Sequence, residues 1–423
     1  MHTAIIIVFI LGYLLIVAEH FTKINKAAPA LLTGVLCWTI YILSENDIHL
    51  VSENLMEHLS EISGILFFLM GAMAIVELID AHDGFQIITD LIKTNKTRKL
   101  LWIISFIAFF LSAVLDNLTA TIVVVSLLKK LISNTQRRLF FVGIVVIAAN
   151  AGGAWSPIGD VTTTMLWIGG QVTSANIIAK LILPSIVCLL VPLTIISFKI
   201  KGNFIKPDLA KEDLKLASKF DRNVIFFSGV GVLLFVPIFK SATHLPPFMG
   251  MLFGLGLLWI ISELLHKDKD EADKNVYSVV YALRKIDVPS ILFFLGILVS
   301  VGALQSTGQL TDLASLMSEK IGNMNIIVLS IGLLSAIIDN VPLVAASMGM
   351  YDLSVYPTNH YFWEFLAYCA GTGGSALIIG SAAGVAAMGI EKIEFFGYLK
   401  KISWLALLGY IVGALTYILQ SNI

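Results

Sequence analysis

The chain has 423 residues, 57% of them hydrophobic and 13% charged, with a net charge of −1 and a mean hydropathy of +0.88. Soluble proteins carry about a quarter charged residues, so the composition excludes a soluble enzyme, a nucleic-acid binder and a disordered scaffold. Apolar runs of about 20 residues recur from end to end, the length a helix needs to cross a bilayer, and the expected fold class is an all-α polytopic membrane protein.

In chain order the candidate spans are 3–20, 28–44, 62–80, 139–170, 177–199, 221–239, 247–265, 289–304, 361–389 and 396–419. The run 3–17 lacks a basic leading region and a small-residue cleavage site, so it reads as the first span and not as a signal peptide. Two further apolar pairs, 100–115 with 117–129 and 324–338 with 340–350, have arms short for full crossings. Polar turns, Asp116-Asn117 and Asp339-Asn340, join those arms. The pairs read as re-entrant hairpins whose tips end inside the membrane. Residues 201–220 form a long polar stretch, expected as a cytoplasmic linker between a first half, 1–200, and a second, 221–423. Each half holds five spans, so the second enters the membrane from the opposite face.

Of the 28 lysines and arginines, only Lys180, Lys240 and Lys320 fall in loops on the N-terminal side; all the others fall on the opposite side. This positive-inside asymmetry puts both termini outside the cytoplasm, in a cell (inner) membrane. Cys37, Cys188 and Cys369 lie in apolar runs and the histidines show no ligand spacing, so neither a disulfide framework nor a thiolate metal site is expected.

The halves resemble each other. SAVLDN at 112–117 matches SAIIDN at 335–340, and ILFFL occurs at both 65–69 and 291–295. NAGGAWSPIGD at 150–160 aligns with GTGGSALIIGS at 371–381, sharing Gly152/Gly373, Gly153/Gly374, Ile158/Ile379 and Gly159/Gly380. Similar sequence in opposite orientation is an inverted-topology repeat, the architecture of many secondary transporters. The pair Gly229 and Gly231 suits helix packing better than phosphate binding. With no nucleotide motif beside it, the chain reads as a carrier driven by ion gradients, with no cofactor and no nucleotide or nucleic-acid partner.

The glycine-rich polar stretches inside 139–170 and 361–389 read as helix breaks, tolerated in hydrocarbon only where backbone lines a cavity or meets an ion. With the hairpin tips they bring together Asp116, Asn117, Thr119, Asp339 and Asn340, and Asn150, Ser156, Asp160, Thr162, Thr163, Thr372 and Ser375. Intramembrane carboxylates mark ion paths or proton relays. Asp116 and Asp339 also suit helix caps. Asp160 has no acidic counterpart, because Ser381 holds the equivalent position. Three carboxylates with no matching lysine or arginine form a negative site, and carboxylate, amide and hydroxyl oxygens suit a hard cation such as Na⁺ or Li⁺, with Asp116, Asp160 and Asp339 as the cation ligands. Protons and cations would compete for it, which is a sufficient mechanism for exchange.

The LDN-L-T motif at 115–119, IDN at 338–340, NAGGAWSPIGDVTT at 150–163 and ELIDAHDGF at 77–85 resemble the NhaD-type sodium/proton antiporters of the ion-transporter superfamily. The likeness covers nearly the whole chain. Dicarboxylate carriers of that superfamily have a Ser-Asn-Thr pattern at the tips, and here Asp replaces the Ser in both. The resemblance implies a homodimer, a scaffold made by the early spans of each repeat, and a moving part made by hairpins and broken helices. It implies Na⁺ or Li⁺ export against proton uptake, with Asp116, Asn117, Asp160, Thr162, Thr163, Asp339 and Asn340 as the core site.

Glu77 and Asp80, one turn apart on one helix face, suit either an interfacial acidic pair or a proton-access role, and Asp287 suits an interface charge or the same role. Trp102, Trp259, Trp363 and Trp404 fall near span ends and are expected in the interfacial belt. The rival classes are an anion (dicarboxylate) or arsenite-type carrier and a cation channel. Two acidic tips argue against the first, and hairpins entering from opposite faces argue against the second.

Overall fold

In the computed structural model the described residues are 2–422, apart from 46, 91, 93, 133, 201, 204–217, 268–274, 392 and 394. The central part of the expected linker lies outside them. The described residues are helical, joined by short turns. The N-terminal half holds α1 (His2–Val17), α2 (Ala27–Ser44), α3 (Ile48–Ala81), α4 (Thr97–Leu115), α5 (Asn117–Leu131), α6 (Thr135–Ala154), α7 (Val161–Ile168) and α8 (Ser174–Lys199). The C-terminal half holds α9 (Lys219–Thr243), α10 (Pro247–Leu265), α11 (Val288–Ser306), α12 (Gln309–Ile321) and α13 (Met324–Leu334). It ends with α14 (Asn340–Met350), α15 (Tyr361–Gly373), α16 (Ala382–Glu391) and α17 (Trp404–Ser421). Among the described residues nine helices are long and apolar enough to cross a membrane, as a polytopic membrane protein requires.

Both expected helix breaks are present. The run 139–170 divides into α6 and α7 around 155–160, and 361–389 into α15 and α16 around a 3₁₀ turn at Gly374–Ala376. Other boundaries differ from the sequence reading. The expected first span is α1, followed by a separate helical turn at Glu19–Thr22, and its apolar part is shorter than the nine long helices. The arm expected at 100–115 starts three residues earlier and, at 19 residues, is long enough to cross by itself. Its polar first turn, Thr97–Lys99, extends the helix without extending the apolar run. Span 62–80 is the apolar part of a 34-residue helix whose first turns carry Glu53, Glu57 and Glu61.

The packing pairs helices in matching sets. α1 lies on α2 as α9 lies on α10, α2 on α11 as α3 on α10, α4 on α6 as α13 on α15, and α5 on α16 as α14 on α7. α8 and α17 pack on each other, and a Cβ on Gly413 of α17 would lie 2.8 Å from the Pro184 carbonyl of α8. Such close approach is how small residues let apolar helices associate where lipid gives no hydrophobic drive. Arg138 at the start of α6 meets Glu391 at the end of α16 at 2.6 Å. Trp404 is 43% exposed, as a belt residue would be, but Trp363 is fully buried and its indole donates to the Tyr356 carbonyl at 2.8 Å. It belongs to the core because its neighbours Tyr356 and Phe362 close over it.

Candidate functional site

Three helices begin at one place, each with an aspartate immediately before its first residue. Asp116 caps α5, Asp160 caps α7 and Asp339 caps α14, accepting from the amides of Thr119, Thr162 and Val341. A helix start offers unpaired N–H groups and the positive end of the macrodipole, so each stabilises an ionised carboxylate. The capping expected of Asp116 and Asp339 is therefore present, and Asp160 caps as well.

Asp160 is the centre, 1% exposed. Its Oδ2 accepts from Asn117 Nδ2 at 2.6 Å. Its Oδ1 accepts from the Thr162 amide at 2.9 Å, the Thr162 hydroxyl at 2.7 Å and Asn340 Nδ2 at 3.4 Å. One carboxylate thus joins the tips of both hairpin-like pairs. Asn150, fully buried on α6, extends the network. It accepts from Asn117 Nδ2 at 3.1 Å and donates to the hydroxyls of Ser375 and Ser381, each at 2.9 Å. Both broken helices and both tips are tied by this chain of polar side chains, as buried polar groups require.

Asp116 stands at the edge. It accepts from the Thr119 amide at 2.7 Å and the Thr119 hydroxyl at 3.0 Å. Its φ of +94° is a strained conformation for a non-glycine residue, held by those two bonds and the turn between α4 and α5. Thr163 is buried with an unpartnered hydroxyl. Ser156 and Thr372 serve the backbone instead, donating to the Ala113 carbonyl at 2.5 Å and the Tyr368 carbonyl at 2.6 Å.

The expectation that the site lacks a basic partner is wrong. Lys26, at the start of α2, brings its ammonium 2.9 Å from Asp339 Oδ2. In the sequence it stands in a loop between the candidate spans 3–20 and 28–44. A short loop of lysines, KINK at 23–26, looks interfacial, and nothing local reveals a partner 313 residues away. Ser381, known from sequence only as the neutral counterpart of Asp160, is also part of the network.

Lys26, Asp116, Asn117, Asp160, Asp339 and Asn340 line one narrow cavity. A second cavity, of about 420 Å³, is lined by Glu77, Asp80, Thr119, Lys285 and Asp287. Met73 and Leu118 line both and form the partition between them. Glu77 is half-buried, while Asp80 and Asp287 are exposed. Asp287 also caps α11, accepting from the Ser290 amide at 3.2 Å and the Ser290 hydroxyl at 2.5 Å. Among the described residues no group of three or more Asp, Glu, His or Cys side chains is gathered as a resident metal site. The arrangement has one buried carboxylate ringed by amide and hydroxyl groups, with a second carboxylate on either side.

A model of the citrate transporter family matches residues 13–364. Sodium/proton antiporters 1 and 2 of Arabidopsis thaliana are each 47% identical, over 99% and 98% of this chain and 73% and 99% of their own lengths. The Na(+)/H(+) antiporter NhaD of Vibrio cholerae is 31% identical over 99% of this chain and 92% of its own length. Matched in this way along nearly its whole length, the chain belongs to the citrate transporter family, as one of its NhaD-type sodium/proton antiporters.

Proposed function

We propose that the chain exchanges Na⁺ or Li⁺ for protons at Asp160 and its neighbours, exporting the cation as protons enter. It is a secondary transporter and not an enzyme, and it needs no cofactor: Na⁺ and protons are its cargo. The observation that carries the site is the single buried carboxylate shared by elements of both halves. Asp160 is the first cation and proton ligand, with Asp116 and Asp339 beside it as the further carboxylates. Asn117, Asn340, Asn150, Ser375, Thr119, Thr162 and Thr163 are neutral oxygen donors within reach of the same region. A cation entering this group favours its ionised form and displaces the proton, and a proton returning displaces the cation.

The two halves are inverted repeats in this reading, each with a re-entrant hairpin and a broken helix. What supports it is a set of matched contacts. Ser112 Oγ donates to the Ala149 carbonyl at 2.6 Å, and Ser335 Oγ, at the equivalent position, donates to the Ala370 carbonyl at 3.3 Å. A Cβ on Gly159 would lie 2.9 Å from the Ala113 Cα, and one on Gly380 2.6 Å from the Cα of its counterpart Ala336. The lysine and arginine asymmetry favours both termini outside the cytoplasm of an inner membrane, which makes the 420 Å³ cavity cytoplasmic. Glu77, Asp80 and Asp287 then form the cation and proton access. A homodimer completes the proposal, on the resemblance alone.

The test is purified protein in liposomes with an internal pH dye. An imposed proton gradient should dissipate on adding Na⁺ or Li⁺ and stay unchanged on adding succinate or citrate. A response confined to the organic anions would move the chain to the anion-carrier branch.

A further inference from the structure

The second tip is held differently from the first. Asp116 takes two hydrogen bonds from Thr119, three residues on. Three residues beyond Asp339 stands Pro342, which has neither an amide hydrogen nor a hydroxyl. Asp339 Oδ1 accepts from the Val341 amide at 3.3 Å, and its other oxygen, Oδ2, faces the Lys26 ammonium at 2.9 Å.

Lys26 is firmly mounted. Its ammonium also lies 4.1 Å from the centre of the Phe293 ring on α11. α2 is pinned against that same helix: a Cβ on Gly296 would lie 2.5 Å from the Ala30 backbone, and the Trp38 indole donates to the Val299 carbonyl at 2.8 Å. The lysine therefore belongs to a packed helix pair and reaches across to the start of α14, into the cavity that holds Asp160.

We propose that Lys26 is a tethered cation, neutralising Asp339 while the transported cation is absent and competing with it for that carboxylate. A half-buried carboxylate needs a counter-charge, and an ammonium at this distance supplies it. Na⁺ cannot bind the same oxygen until the ammonium withdraws. The Phe293 ring face, which the ammonium already meets while paired with Asp339, keeps its hold on the charge when that oxygen is released, through the attraction of its π-system for cations. Lys26 is a positioning residue that sets the apparent affinity for Na⁺, and this rests on Asp339 belonging to the exchange site.

The test is the KM for Na⁺ in Na⁺-driven proton flux, with equilibrium binding of radiolabelled sodium to the purified protein. Lys26→Met removes the competitor, so KM and the binding constant should fall about tenfold, with turnover no higher than wild type. Lys26→Arg keeps the charge and can grip the carboxylate with two parallel bonds, so its KM should rise. A merely structural ion pair would lower the yield and turnover of Lys26→Met without lowering KM. An unchanged or raised KM in folded Lys26→Met overturns the proposal. Where that variant is not recovered folded, Lys26→Arg decides, and a KM at or below wild type overturns it. Loss of Na⁺-driven flux in the wild type would instead refute the exchange site itself.

Discussion

Replacing Asp160 by Asn separates the structural role of this carboxylate from its chemical one. The substitution keeps shape and removes charge. In the wild type, four donors converge on Asp160: Asn117 Nδ2, the Thr162 amide and hydroxyl, and Asn340 Nδ2. An asparagine can accept on one atom only, so its own NH₂ must face donors on one side. Turned toward Asn117, that NH₂ is accommodated by a cascade. Asn117 flips, Asn150 flips after it, and the hydroxyls of Ser375 and Ser381 rotate from accepting to donating. The flipped Asn117 and Asn150 amides turn N–H groups away from their acceptors, so the stability cost is about 1–3 kcal/mol for each buried donor left unpaired. Transport has no such escape, because the amide binds neither the proton nor a compensating charge for the cation. Na⁺-driven proton flux should fall by at least about a hundredfold, near two decades of transition-state or binding energy. The assay is dye-reported flux in liposomes at matched protein levels, beside thermal unfolding in detergent. Flux within about threefold of wild type, in a protein that has kept its fold, would show that Asp160 is a structural cap and refute the site as argued.

The second cavity, proposed as the access, yields two milder expectations. Glu77→Gln should raise the KM for Na⁺ about threefold with kcat nearly unchanged, an effect that high ionic strength shrinks only in part because a half-buried charge is screened less than an exposed one. Asp287→Asn should do the same to KM, and its stability should change little because asparagine caps helices as well as aspartate does. Salt-independent loss of kcat in either would place that side chain in the exchange step and not in access.

How much of this was legible in the sequence depends on how local each signal is. Asp116, Asp160 and Asp339 stand out because a carboxylate inside an apolar run has no bland explanation in hydrocarbon. The breaks stand out because glycines and polar residues interrupt the runs at 150–160 and 371–381, and both are real. Lys26 was invisible for the opposite reason: beside an apolar run, an interfacial lysine and a site lysine have the same local sequence. The early turns of α3 were missed because Glu53, Glu57 and Glu61 end the apolar run while the backbone goes on as a helix. The amphipathic helix α12, Gln309–Ile321, holds no long apolar run, because its apolar residues recur at helical spacing among polar ones. Trp363 was misjudged because position near a span end says nothing about which side of the helix it faces. Asn150 was named from its place in a break, but its three partners depend on elements far apart in the chain.

The glycine pairs make the difference between the two breaks measurable. A Cβ on Gly153 would run into the Gly159 carbonyl and lie 3.0 Å from Asp160 Cβ; a Cβ on Gly374 would lie 2.6 Å from the Gly380 carbonyl and 3.0 Å from Ser381 Cβ. The obstacle in each is backbone, which cannot swing away as a side-chain tip would. Alanine at either position should therefore cost a similar amount of stability, about 1–3 kcal/mol for overpacking. The functional costs should diverge, because the segments pushed aside carry different chemistry. Gly153→Ala displaces the buried carboxylate from Asn117 and Asn340, whereas Gly374→Ala displaces a neutral hydroxyl that touches only the outer end of the network, through Asn150. At matched unfolding temperature, Gly153→Ala should lose about tenfold more Na⁺-driven flux than Gly374→Ala, since a displacement near 1 Å at a reacting group costs far more than one at its support. Equal flux at equal stability would mean that Ser381 and Asp160 do the same work, and the exchange site would then be a symmetric pair and not a centre built on one half.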